Sequence, residues 1–182
     1  LSELVSRDVA ISVRVLNYVN SAATALNRRI ESIREGVVYL GRNTIRNLVT
    51  VFTMGTVDDR PVELLTMALQ RGRFCELLAL EQDLDDSAAY FTVGMFSVLD
   101  ALMNASMEEV TEKLSITPEM RDALVEQSGD KGVALKLAIA LERAEFDALE
   151  TEQTVVSSDA MAQLHVDARA WADGVVSESG LG

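Results

Sequence analysis

The stretch YFTVGMFSVLDALM, Tyr90–Met103, decides the fold. The segment 86–103 around it is nearly apolar all round, apart from Ser97, Asp100 and its N-terminal end. A helix without a polar face belongs at the centre of a fold, so this segment predicts a buried helix with others packed about it. Ser97 and Asp100 lie three positions apart, about one helical turn, and share a direction. A serine there can bond back to the carbonyl four residues earlier. A buried carboxylate is costly alone and requires a partner. Arg71 or Arg73, in the preceding segment, can supply it, giving an expected buried polar network of Ser97, Asp100, Arg71 and Arg73.

Outward from this helix the punctuation is helical. The segment 61–81 carries Leu64, Leu65, Ala68, Leu69, Cys75, Leu78 and Ala79, with Pro61 suited to a first turn and Asp58 or Asp59 to a cap. Ser106-Met107-Glu108-Glu109 forms a capping box. Thr117-Pro118 opens a helix of about ten residues, SGDKG (128–132) reads as a turn, and VALKLAIALERAEFDAL (133–149) as a strong amphipathic helix. In 159–176, Met161, Leu164, Ala168, Trp171 and Val175 recur at alternating spacings of three and four, a stripe that docks a last helix. Nearer the start, Leu4, Val5, Val9, Ile11, Val15, Leu16 and Val19 keep mostly helical spacing, with Asp8 a cap for a second helix. Ser32 caps a segment with Ile33, Val37 and Leu40 on one face, and Ile45, Leu48, Val49 and Phe52 make a further stripe. The expectation is one all-α domain over residues 1–182, a compact multi-helix bundle without internal repeats. It opens on Leu1 and reads as truncated at its N-terminus.

Composition narrows the function. Of 182 residues, 48% are apolar and only 5% aromatic, the mix that helix packing favours. Two prolines and few glycines are too little punctuation for an all-β fold. No apolar run approaches the roughly 18 residues of a membrane span, so no membrane partner is expected. One cysteine excludes an internal disulfide and points to a reducing cytoplasm. The net charge of −13 is uneven: ten arginines stand against eight acids in residues 1–80, and six basic against 21 acidic residues in 81–182. An acidic half repels phosphate backbones, so no nucleic-acid partner is expected.

The sequence has one histidine, His165, and Ala162 excludes a Glu-x-x-His pair there. Metallohydrolases, di-iron bundles and triad hydrolases mostly require histidines at set spacings. Asp85/Asp86 and Glu108/Glu109 read as acids at helix starts, favoured by the macrodipole. Cys75 reads as a buried inert thiol and His165 as a packing or surface residue. Arg28, Arg29, Arg34, Arg42 and Arg46 crowd a short span and form a candidate docking face for an acidic partner.

Three segments together resemble the bacterial HDOD domain: SRDVAISVRVLNYVNSA, IESIREGVVYLGRNTIRNL and RPVELLTMALQRGRFCELLA. YFTVGMFSVLDALM and DARAWAD, with Trp171-Ala172, are similar to the version found in EAL–HDOD (YuxH-like) signalling proteins, so the resemblance spans about residues 3–175. It implies an all-helical relative of the HD phosphohydrolases. Where catalytic relatives carry Gly-x-x-His-Asp, this sequence keeps Gly94 but places Ser97 and Val98 at the two ligand positions. Neither side chain replaces an imidazole and a carboxylate on a metal. Asp100 falls two places later, about 200° round the helix from Val98.

The resemblance therefore implies a degenerate site and no enzymatic activity, metal or cofactor. The expected function is a non-catalytic bacterial regulatory domain in cyclic di-GMP-related signalling. It would act through contacts with a protein partner, a neighbouring domain or a second copy, and any phosphodiesterase activity would lie in a missing EAL domain. Two alternatives stand beside it: a nucleotide sensor using the former cleft, and a residual metal-dependent phosphohydrolase rebuilt from Asp83, Asp85, Asp86 and Asp100.

Overall fold

The computed structural model describes residues 38, 45, 49, 62–114, 116–145 and 155–178. Val38, Ile45 and Val49 are helical, and Ile45 is fully buried. The expected helices over residues 3–19, the capping roles of Ser32, Asp58 and Asp59, and the arginines Arg28, Arg29, Arg34, Arg42 and Arg46 lie outside the described residues. So does the end of the segment 133–149 beyond Glu145.

The remaining described residues form seven helices, and no strand occurs among them. They are α1 (Val62–Glu81), α2 (Ser87–Phe96), α3 (Leu99–Met103), α4 (Met107–Lys113), α5 (Pro118–Val125), α6 (Gly129–Arg143) and α7 (Ser158–Glu178). No described helix is long and apolar enough to cross a membrane. The chain divides into two compact units: Thr66–Ala172, and Leu1–Leu65 with Asp173–Gly182.

The core of that unit joins Phe74, Cys75, Leu78 and Ala79 of α1 to Tyr90 of α2, Ala134, Leu137 and Ala138 of α6, and Met161 and Ala168 of α7. The stripe expected in 159–176 is realised, with Met161, Ala168 and Val175 buried. α2 is buried from Tyr90 to Phe96, as a helix without a polar face must be.

The helix starts follow their caps. Ser106 Oγ accepts from the Glu109 N–H at 3.3 Å, and the Ser106 N–H donates to Glu109 Oε2 at 3.2 Å, closing the capping box of α4. Thr117 Oγ1 accepts from the Met120 N–H at 3.3 Å ahead of Pro118, which begins α5. Asp85 and Asp86 are exposed, and Asp86 caps α2 in a left-handed conformation without a side-chain bond. Among the described residues, five other than glycine hold positive φ: Asp83, Asp86, Asn104, Gln127 and Ala144. Asp86, Asn104 and Ala144 stand directly at helix ends.

Three expectations are corrected. The helix expected over 133–149 ends at Arg143, where Ala144 turns left-handed at φ 56°. The segment 86–103 is two helices, because the turn tightens at Ser97. The Ser97 N–H reaches both Val93 O at 3.1 Å and Gly94 O at 3.3 Å, its Oγ donates to Gly94 O at 2.7 Å, and Val98 takes φ −108°, ψ 3°. A hydroxyl that captures the carbonyl three residues back competes with continued helix. Of the stretch 128–132, Ser128 is the extended N-cap and residues 129–132 are the first turn of α6. Gly132 is needed there for closeness: a Cβ would come within 2.3 Å of the Gln127 carbonyl carbon.

Candidate functional site

The site is built where α1 meets α2. A Cβ on Gly94 would come within 2.5 Å of Arg71 O and 2.7 Å of Gly72 N. A Cβ on Gly72 would meet Phe91 at 3.0 Å. The two backbones therefore touch, and glycine at 94 is what lets α2 reach α1. That approach brings Ser97, one turn further on, beneath Arg71.

Arg71 holds the center of a network across three helices. Its Nε donates to both Glu142 oxygens at 3.0 Å, and its Nη2 donates to Glu142 Oε2 at 2.7 Å. Its Nη1 donates to Ser97 Oγ at 3.1 Å. The Arg71 and Glu142 side chains are only 12% and 16% exposed, so this pair is largely screened from water. The planar guanidinium fork suits a carboxylate gripped along one edge with a hydroxyl at the other. Ser97 accepts from Arg71 and donates to Gly94 O, and both its capacities are used.

Of the four residues expected to share a buried network, the structure joins Arg71 and Ser97 and leaves two out. Arg73 pairs on its own helix with Glu76 at 2.8 Å and lies 5.4 Å over the Trp171 ring. Asp100 is half-buried in the first turn of α3, where the helix N-terminus suits an acid, and forms no ion pair with a described residue. The break after Ser97 is the reason: α3 starts afresh, so Asp100 no longer continues the α2 face. The serine back-bond reaches three residues rather than four. Val98 is buried.

Glu142 is the partner that spacing did not single out. It follows Leu135 and Ala138, both buried, at intervals of three and four. An acid on the apolar stripe of a helix demands a cation, and that was the available signal.

Around this network the groups are tuned by burial. The Cys75 thiol is fully buried and pushed up to about 12, with Arg71 pulling it down and Glu142 pushing it up to smaller extents. Burial also raises the Glu76 carboxyl, against the opposing pull of Arg73. His165 is held below its ordinary value, first by burial, with Arg169 adding and Glu142 opposing. Gln70 Nε2 lies 3.1 Å from His165 Nε2, Phe74 meets the imidazole edge-on at 6.1 Å, and Phe91 meets Trp171 edge-on at 6.4 Å. Among the described residues, no group of three or more His, Cys, Asp and Glu side chains is placed to hold a metal ion. Asp83, Asp85, Asp86 and Asp100, all described, make no such group. What the arrangement does chemically is lock α1, the end of α2 and α6 together through one guanidinium.

The sequence profile of the HDOD domain matches residues 1–128. The chain belongs to the HDOD domain family. It is similar to "Cyclic di-GMP phosphodiesterase CdgJ" of Vibrio cholerae serotype O1, 34% identical over 152 residues, covering 82% of this chain and 35% of that protein. It is also similar to "Uncharacterized protein YuxH" of Bacillus subtilis, 26% identical over 175 residues, 94% of this chain and 43% of that one. An uncharacterized protein of Treponema pallidum is 27% identical over 150 residues, 74% of this chain and 29% of that one. The HDOD chain thus spans less than half the length of each of these relatives. No solved structure matches it.

The HDOD assignment and the likeness to YuxH agree with the resemblance drawn from sequence. The expectation of no enzymatic activity is corrected by the Vibrio relative, which is named a phosphodiesterase. The physical reason is that Ser97 and Val98 speak for two positions only. Substitution at two positions does not exclude catalysis by the protein that carries them.

Proposed function

We propose that this HDOD chain works in cyclic di-GMP signalling, within a protein that hydrolyses cyclic di-GMP. The observation that carries the reading is the 34% identity to CdgJ over 82% of the chain. Hydrolysis would open the cyclic dinucleotide by adding water across one phosphodiester bond. The helical HDOD region supplies the regulatory part, passing its state on by contact with protein.

Three features support contact as the means. Residues 81–182 carry 21 acids against six basic residues, a field that selects basic surfaces and raises association rates. Leu80, Val155 and Val166 are exposed apolar side chains in Thr66–Ala172. The Arg71 lock lets α1, α2 and α6 move as one body, which suits transmission by small rigid shifts.

The test is hydrolysis of cyclic di-GMP to the linear dinucleotide, with Mg²⁺ or Mn²⁺, by the complete natural protein and by residues 1–182. Turnover by the complete protein that changes on deleting residues 66–172 supports the reading. Absence of both hydrolysis and binding in the complete protein overturns it. Partner capture that weakens as salt rises supports contact through charge, and capture insensitive to salt removes that part.

A further inference from the structure

Gln70 of α1 and His165 of α7 meet across 95 residues of sequence. An amide nitrogen only donates, so the Gln70 Nε2–H donates to His165 Nε2 at 3.1 Å. The ring proton then resides on Nδ1, which is buried and has no hydrogen-bond partner among the described residues. The ring is half-buried, with Phe74 against its edge. Both nitrogens therefore sit in surroundings that suit a neutral imidazole. A proton added to Nε2 would set one N–H against another and leave a charged, buried Nδ1–H without an acceptor.

The neighbouring charges do not reverse this. α1 presents the Gln70 amide and the Phe74 ring, while its Arg71 and Arg73 are engaged by Glu142 and Glu76. α6 brings Glu142, which favours a positive ring, but both its oxygens are held by Arg71. α7 itself brings Arg169, which opposes a positive ring. Burial outweighs both and holds the imidazole below 6.5.

α1 and α7 are also the helices within which the chain enters and leaves Thr66–Ala172. We propose that Gln70 and His165 form an acid-released clasp between α1 and α7. Above the ordinary histidine value the ring is neutral in folded and unfolded chains alike, and the clasp is closed. As pH falls through that value, the unfolded or opened chain takes up the proton first, and the clasp loosens until the folded ring is charged too. Each unit separating the two values enlarges the opening equilibrium about tenfold.

His165 is the single histidine of the 182 residues, so its ring signals in a magnetic resonance titration are unambiguous. The expected result is a midpoint below 6.5, with the protection of amides near Gln70 and His165, taken relative to their intrinsic exchange rate, falling as pH drops below 6.5. His165→Gln, which cannot titrate, is expected to lose that local acid response. Gln70→Glu offers the imidazolium an acceptor, so its midpoint is expected to rise. A wild-type midpoint at or above 6.5, as an amide turned to present Oε1 would give, overturns the clasp. So does an equal acid response in His165→Gln. Should that variant fail to fold, Gln70→Glu decides: a raised midpoint supports the clasp and an unmoved one overturns it.

Discussion

Helix α1 meets two helices in different ways. Against α2 it is backbone on backbone, with no room for one methyl group at Gly94. Against α7 it is side chain on side chain: Gln70 on His165, Phe74 on His165, Arg73 over Trp171. The first seam tolerates no change of volume, because backbone cannot step aside. The second is made of long or planar groups whose contacts are each worth little and can be remade. A helix can thus be fixed along one side and adjustable along another, and the Arg71 fork reinforces the fixed side by tying it to α6.

The strongest blow to this contrast falls on Gly94. Gly94→Val is expected to keep α2 from seating, so that urea unfolding loses its cooperative transition. Gly94→Ala should cost on the order of 3 kcal/mol in the same measurement. Next comes Arg71→Met, which strands a largely buried Glu142 and should cost about 2 kcal/mol, reduced from the fully buried case by partial exposure. The double change Arg71→Met with Glu142→Met should recover most of that loss, and no recovery would show that the pair is not the unit that matters.

Cys75 turns the contrast into a rate. At about 12, three units above its ordinary 9.0, the native thiol has roughly a thousandfold less thiolate than a free one. Labelling at neutral or mildly alkaline pH should therefore proceed only through opening of α1. Gly94→Ala is expected to speed it strongly and Trp171→Phe scarcely at all. Equal acceleration by both would erase the distinction between the seams. Ser106→Ala, remote from either seam, should cost about 1 kcal/mol through loss of the α4 cap. Trp171→Phe keeps an aromatic edge toward Phe91 and weakens the contact with Arg73, so about 0.5 kcal/mol is expected.

The fixed side was partly legible in the sequence and the adjustable side hardly at all. α1 and α7 could be read because each alternates apolar and polar faces with a clear period. The caps Ser106 and Thr117 could be read because their bonds span three residues. The break after Ser97 could not: a segment apolar all round has no period to interrupt, and the interruption is one hydroxyl choosing Gly94 O. The Arg71–Glu142 pair spans 71 residues and Gln70–His165 spans 95, distances that only packing closes. The glycine at 94 was visible as a letter of a family pattern, but its steric reason became visible only with α1 beside it.

Ala144 offers an opening for engineering. It closes α6 at φ 56°, where its methyl group crowds the following carbonyl at a cost of about 1 kcal/mol. Asn104, which ends α3 at φ 49°, is a residue type that tolerates that geometry better. Ala144→Gly removes the crowding, offset in part by the greater freedom glycine has when unfolded. The chain therefore holds a small reserve of thermal robustness at a surface corner, reachable without disturbing either seam.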